Sequence, residues 1–184
     1  MQNNVISRSL HDVGLAAWFG GTLANAVALN RAAGAASDAR STGAVTNAGW
    51  DAWAPVNAVA VGAHLVGSVG QLLGNRGRLT TQQGVGTMSV VKTVVTGAAV
   101  GLSVYSRVLG KKLSSYDDVP AASGTEPTAA TPPEAAKAQK QLKALQWAIP
   151  AVTGVLVVVT SYAGEQQRPQ SVLSGVADRL GVTR

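Results

Sequence analysis

Four side chains that could take part in chemistry lie inside the apolar stretches of this chain. They are Trp18, His64, Lys92 and Thr160. A lysine inside an apolar segment costs about 2.5–3.5 kcal/mol to insert into a bilayer, unless its ammonium group finds partners or reaches the surface. Imidazole titrates near neutral pH, so His64 beside such a lysine could carry a proton or hold an anionic group. The sequence therefore predicts a candidate polar centre formed by these four residues.

Lys92 also admits a simpler interpretation. It lies roughly 7 Å from the middle of the apolar stretch 85–109, at about 1.5 Å per helical residue. Its four-carbon stem could therefore carry the ammonium group to the headgroup zone of a membrane. An inward-facing lysine and a lysine that reaches for the surface are both compatible with the sequence.

The elements that would position these residues are four apolar stretches, each about as long as a membrane crossing, which takes about 20 helical residues. They are residues 11–33, 51–73, 85–109 and 147–164. Hydrophobic residues make up 46% of the chain and charged residues 13%, a balance that suits helix packing in lipid. We predict an all-α fold, a four-helix transmembrane bundle with antiparallel up-down order, in a single membrane domain of residues 1–184. The alternatives are a soluble helical protein and, for residues 11–33, a cleaved signal peptide, against which His11 and Asp12 at the head of that stretch argue.

Polar and small residues recur in each stretch at a spacing of seven, which places them on one helix face. They are His11, Gly14, Trp18, Gly21 and Asn25 in the first stretch; Asn57, His64 and Gln71 in the second, with Gly67 between them; Ser89, Thr96 and Ser103 in the third, with Lys92 on the neighbouring half-turn of the same face; and Gln146, Thr153 and Thr160 at and after the start of the fourth. This pattern predicts a bundle with a mildly polar centre and a lipid-facing exterior. The same residues could serve only as packing contacts, worth about 0.6 kcal/mol for each hydrogen bond between helices.

The third stretch also contains Gly97 and Gly101, four residues apart. Small residues at this spacing let another helix approach closely in a membrane. We therefore predict that these two glycines form a helix-packing surface.

The segments outside the apolar stretches differ in composition. Residues 110–134 contain Pro120, Pro127, Pro132 and Pro133 among small and polar residues, and they predict a disordered linker. Residues 134–146 predict an amphipathic helix, either lying on the membrane surface or extending the next span. Residues 165–184 form a polar tail.

The net charge of +6 comes from lysines and arginines placed mainly beside the predicted spans. Such residues are attracted to anionic headgroups by roughly 1 kcal/mol each, so the lipid bilayer is the expected partner. No nucleic-acid motif or aromatic and basic platform is present, and nucleic acid is not expected as a partner. The absence of cysteine excludes a disulfide and a thiolate metal site.

Two histidines on neighbouring membrane helices could ligate a haem iron. However, His11 begins the first predicted span, which places it about 15 Å in depth from His64 at the middle of the second. Both could bind one iron only if the first helix began much earlier. We therefore expect no cofactor and no metal. The chain also lacks the sequence motifs of the common catalytic sites, so no catalytic residue and no enzymatic activity are expected.

Residues 11–21 read HDVGLAAWFGG. This run resembles the opening of a group of uncharacterised actinobacterial integral membrane proteins with four spans. His11, Trp18, Gly20 and Gly21 also match a pattern that is similar to helix starts in copper-resistance D-type membrane families. The resemblance implies a membrane location and a helical bundle, and it implies no binding residues.

Two functions fit these observations. The first is a small integral protein of the cell membrane with a structural or partner-binding accessory role, in contact with another protein or with a second copy of itself. The second is a small-solute or proton channel or transporter that uses the polar centre around Lys92 and His64. Lys92→Leu separates them, because only a transporter would lose pH-dependent flux.

Overall fold

The computed structural model describes residues 4–77, 85–116 and 119–165. Four helices run through this part of the chain, and each is long and apolar enough to cross a membrane. They are α1 (Val5–Ala33, with a π-helical turn at Asn25–Leu29), α2 (Ala39–Gly74), α3 (Val85–Ser114) and α4 (Pro133–Glu165). Each predicted span lies inside one of these helices. The predicted tail lies outside the described residues, apart from Glu165.

The helices alternate in direction, and the predicted all-α, antiparallel four-helix bundle is confirmed. Helix α1 packs along α2 and also contacts α4, while α3 packs along α4. Helices α2 and α3 contact each other much less, so a gap remains between them. We call the end that carries the α1–α2 and α3–α4 connections the hairpin end, and the other the opposite end.

Helices α1 and α2 approach each other through glycine. A Cβ atom at Gly14 would lie 2.5 Å from the carbonyl oxygen of Ala60, and one at Gly67 would lie 2.5 Å from the carbonyl oxygen of Ser7. Both distances are too short for real side chains, so the two backbones can reach this separation only with glycine at these positions. The close contact fixes how far α1 is shifted along α2, and it places His11 against Gly67.

The middle of the bundle is closed by apolar side chains from all four helices. We call Leu15, Trp18, Ala60, Ala99 and Leu156 the central layer; each is at most 6% exposed. A second apolar cluster lies toward the hairpin end, where α3 packs against α4. The exterior of the helices carries exposed valines and leucines, as expected for surfaces that meet lipid.

Helix α2 begins at an N-cap residue, Asp38, whose carboxylate accepts hydrogen bonds from the backbone N–H groups of Ser41 and Arg40 and from the Ser41 hydroxyl. These bonds favour the charged carboxylate. They lower the pKa of Asp38 to about 2, with the Ser41 backbone N–H as the largest cause.

Residues 110–134, for which composition predicts a disordered linker, also contain ordered elements in their described part. Helix α3 continues to Ser114, and strands β1 (Ala121–Ser123) and β2 (Glu126–Pro127) form an antiparallel hairpin. Composition indicates how little apolar surface this segment contains, but not which contacts it makes with the rest of the chain. Val119 and Ala121 are buried, and the backbone N–H of Gly124 donates to the Asn30 carbonyl oxygen at 3.0 Å.

Residues 134–146 form the first half of α4. They therefore extend the fourth span as a helix, which is one of the two structures predicted for them. Ala135, Ala138 and Leu145 are buried, while the three lysines of this segment are exposed. The helix continues through Pro150, which lies within it.

Candidate functional site

The most unusual feature of the bundle is a pair of buried histidines. His11 on α1 and His64 on α2 are both 0% exposed, and their ring centroids lie 4.3 Å apart. The contact depends on the glycine packing of α1 against α2, because Gly14 lies against the backbone of His64 and Gly67 against that of His11. Two ionisable rings are thereby held together inside an apolar bundle.

Hydrogen bonds fix which nitrogen of each ring carries the proton. Nδ1 of His64 donates to the backbone carbonyl oxygen of His11 at 3.2 Å, and Nδ1 of His11 donates to the carboxylate of Asp12 at 2.7 Å. In the neutral rings, Nε2 is therefore the unprotonated nitrogen in both cases. Neither Nε2 atom has a hydrogen-bond partner among the described residues, although both are buried. The pair thus presents two basic nitrogens that can accept a proton.

Trp18 lies beside this pair and belongs to the central layer. Its ring centroid is 5.9 Å from that of His64, and its indole N–H donates to the Ser103 hydroxyl at 3.1 Å. The hydrogen bond links α1 to α3 across the bundle and leaves the indole without an unpaired polar group.

Lys92 and Thr160 lie in a cavity of about 340 Å³ at the opposite end of the bundle, which we call the Lys92 cavity. Asp12 and Gln71 also line it, and the Asp12 carboxylate attracts the Lys92 ammonium group. The Thr160 hydroxyl and the Gln71 amide nitrogen are buried and find no partner within the described ranges. Lys92 therefore contributes to a polar space inside the protein, and not only to the lipid boundary.

A larger cavity, of about 480 Å³, lies between α2 and α3 on the hairpin side of the central layer, and we call it the Trp53 cavity. Trp53 and Asn57 line it from α2, and Val100 and Ser103 from α3. The central layer and the histidine pair separate this cavity from the Lys92 cavity. The polar interior thus has two parts, which one layer divides.

At the hairpin end, Asn30 organises a further polar network. Its amide nitrogen donates to Gln146 at 2.7 Å, and its amide oxygen accepts from the indole N–H of Trp50 at 2.9 Å. Gln146 in turn donates to the Thr125 hydroxyl at 3.1 Å. The network ties α1, α2, α4 and the hairpin together and is the floor of the Trp53 cavity.

The structure divides the predicted polar centre into two groups. Trp18 and His64 meet in the middle of the bundle, while Lys92 and Thr160 line the cavity beside them. The depth assigned to His11 is wrong, because His11 touches His64. Helix α1 begins at Val5, six residues or about 9 Å before the predicted start of the span. The sequence signals for this shift were Gly14 and Gly67, which fix the offset of the two helices.

Gly97 and Gly101 face outward. Both are exposed, and a Cβ atom at either position would meet no atom of the described residues within 4 Å. The close helix contacts inside the chain are made by other glycines, on α1 and α2. Any packing at Gly97 and Gly101 would therefore involve none of the four described helices of the same chain.

The histidine pair can bind protons, but it offers a metal ion few ligands. Within the described ranges, no group of three or more histidine, cysteine, aspartate or glutamate side chains is close enough to hold a metal ion. Lys92 nearby would also repel a cation.

Comparisons with family models, with curated proteins and with solved structures find no match to this chain. The resemblance of residues 11–21 to actinobacterial membrane proteins stays a prediction.

Proposed function

We propose that this chain is a multi-pass protein of the cell membrane that moves protons, or a small polar solute, through its polar centre. One observation carries the proposal: two buried imidazoles with unpaired Nε2 atoms lie beside the apolar layer that separates two cavities of the bundle. Ionisable groups inside a membrane protein commonly mark the path of an ion or a proton. The proposed role is not catalytic.

In this proposal, protons reach the histidine pair from the Lys92 cavity. The Asp12 carboxylate, bonded to Nδ1 of His11, stabilises that ring when Nε2 accepts a proton. The carbonyl oxygen bonded to Nδ1 orients His64 in the same way. The positive charge of Lys92 opposes the entry of metal cations, and it also disfavours a lasting positive charge on either ring. The apolar central layer prevents a continuous water path, so transfer through the imidazoles is the remaining route.

The direct test is flux through the purified protein in liposomes that contain a pH-sensitive dye, with a potassium diffusion potential as the driving force. We expect wild type to acidify or alkalinise the lumen as the sign of the potential dictates. Lys92→Leu should insert at least as well and lose the pH dependence of the flux, because the charge facing the cavity is gone. Val94→Leu, on the lipid-facing side of the same helix, is the matched control and should behave as wild type.

Wild-type protein that produces no more flux than empty liposomes, at any pH from 5 to 8, would overturn this proposal. Unchanged flux in Lys92→Leu, with Val94→Leu also unchanged, would remove Lys92 from the path.

A second candidate, an accessory role in contact with another membrane protein or with a second copy of the chain, is favoured by the outward position of Gly97 and Gly101. Two exposed small residues four apart on a membrane helix suit a close helix contact. In this case Gly101→Leu should abolish crosslinking to the partner in native membranes, while Val91→Leu, which is exposed on another face of α3, should preserve it. No crosslinked species for wild type would count against this role. The lipid bilayer is the common partner in both candidates, and nucleic acid is a partner in neither.

A further inference from the structure

The Trp53 cavity has the features of a ligand site. Its volume of about 480 Å³ falls in the range of small-molecule sites, about 300–1,000 Å³. Its walls are mainly apolar. The apolar side chains that line it from α2, α3 and α4 are Val61, Leu65, Val100, Val104, Leu113, Leu142 and Ile149.

The cavity opens sideways, toward the lipid. Leu65 on α2 and Val104 on α3 both line it, and both are also exposed, at 38% and 58%. Helices α2 and α3 have few contacts with each other, and the Asp51–Arg107 ion pair joins them on the hairpin side of the gap. A molecule dissolved in the bilayer could therefore enter without crossing water.

Two residues that line the cavity, Trp53 and Asn57, each carry a polar atom without a partner among the described residues. The indole N–H of Trp53 is a donor and the amide oxygen of Asn57 is an acceptor, and both are buried without a hydrogen bond in the described part of the chain. The two residues are four apart on α2, so they lie one turn apart on the same face. Leaving such groups unpaired costs about 1–3 kcal/mol each, which a ligand that bonds both would recover.

A hydroxyl group fits this pair, because its oxygen accepts from the indole N–H while its hydrogen goes to the amide oxygen. A hydrocarbon could satisfy neither atom. A carboxylate could accept from Trp53 but could donate nothing to Asn57. The charged side chains at the mouth, Asp51 and Arg107, are joined at 2.7 Å and leave no net charge to attract an ion.

We propose that the Trp53 cavity binds a neutral, membrane-soluble alcohol, with its chain between α2 and α3 and its hydroxyl group between Trp53 and Asn57. The site is independent of proton transfer and would exist whether or not the protein conducts. A bound alcohol would also occupy the cavity on one side of the central layer.

The test is photolabelling of the full chain in lipid nanodiscs with a diazirine derivative of dodecanol, followed by digestion and mass spectrometry. We expect saturable labelling within residues 46–65 and 100–114. Unlabelled dodecanol should compete, whereas dodecane and dodecanoate should not. Labelling that does not saturate, or that dodecane displaces equally well, would overturn the proposal.

Two variants test the hydroxyl contacts separately. Trp53→Phe keeps a ring against Gly21 but removes the donor, and Asn57→Leu removes the acceptor. Each should weaken the apparent affinity about two- to tenfold, the effect of one net hydrogen bond. Val59→Leu faces lipid on the same helix and should label as wild type does. Wild-type affinity in both variants would contradict the proposed position of the hydroxyl group. If a variant fails to fold, the competition of dodecanol, dodecane and dodecanoate for the wild-type site still tests whether the site prefers an alcohol.

Discussion

Nδ1 of His64 donates a hydrogen bond to the backbone carbonyl oxygen of His11, over 3.2 Å and between two different helices. This bond fixes the tautomer of His64 and turns its Nε2 atom toward the buried interior. Because the acceptor is backbone, the bond depends on the distance between α1 and α2 and not on the side chain at position 11. The chemistry of the site and the packing of the bundle are therefore coupled.

The first prediction concerns His64 itself. His64→Leu fills a similar volume and removes the basic Nε2 atom, so we expect proton flux in the liposome assay to fall to the level of empty vesicles. Insertion should be retained, because an apolar side chain suits a fully buried position in the bundle. Val66→Leu, on the lipid-facing side of α2, is the control. Flux equal to wild type in His64→Leu would exclude this ring from the path.

The second prediction compares two glycines of α2. A methyl group at Gly67 would meet the backbone of His11 and Ser7, whereas one at Gly62 would meet no described atom within 4 Å. Gly67→Ala should therefore destabilise the protein by about 1–3 kcal/mol. Gly62→Ala should be neutral or stabilise it by about 0.5–1 kcal/mol. Thermal unfolding in detergent measures both, and equal melting temperatures would show that the glycine contact does not limit the approach of α1.

The helix count and direction were predictable because each stretch carries an apolar surface long enough to cross a bilayer, and short connections force neighbouring helices to alternate. The inward face was also visible, since the seven-residue spacing placed Trp18, His64 and Thr153 together, and all three are fully buried. Periodicity specifies which face turns inward. It does not specify how far one helix is shifted along the next.

That shift is the reason the histidine pair could not be derived from the sequence. His11 meets His64 because α1 begins at Val5 and because the glycines of α1 and α2 interlock at one offset. The hairpin was missed for a different reason. Its order depends on long-range bonds to Asn30 and Gln146, and composition contains no information about such partners.

The third prediction concerns pH and the start of α2. The pKa of Asp38 is lowered from 3.8 to about 2, so its charged form stabilises the helix above the unfolded pKa, and this contribution is lost as the pH falls through the folded pKa. Asp38→Ala should lower the melting temperature at pH 7, and the difference from wild type should shrink between about pH 4 and pH 2. Asp38→Asn keeps an acceptor but cannot ionise. The difference in melting temperature between Asp38→Asn and Asp38→Ala should therefore not vary with pH. If the difference between wild type and Asp38→Ala is also constant with pH, the carboxylate is not its cause.

The last prediction concerns Asn30, which joins three helices and the hairpin. Asn30→Leu would leave the indole N–H of Trp50 and the amide oxygen of Gln146 without their partner, at a cost of about 1–3 kcal/mol for each group that stays buried. Gln146 would then no longer be held toward Thr125, so the hairpin should loosen.

Hydrogen exchange followed by mass spectrometry measures this loosening in residues 121–127, where exchange should become faster while the middle of α4 stays protected. Asn47→Leu is the matched control, because Asn47 lines the same cavity and its side chain makes no hydrogen bond in the described part of the chain. If Asn30→Leu leaves hairpin exchange at the wild-type rate, the hairpin is held by its other contacts, among them the Lys143–Glu126 ion pair at 2.6 Å. The order of this connection would then not depend on the polar network beneath it.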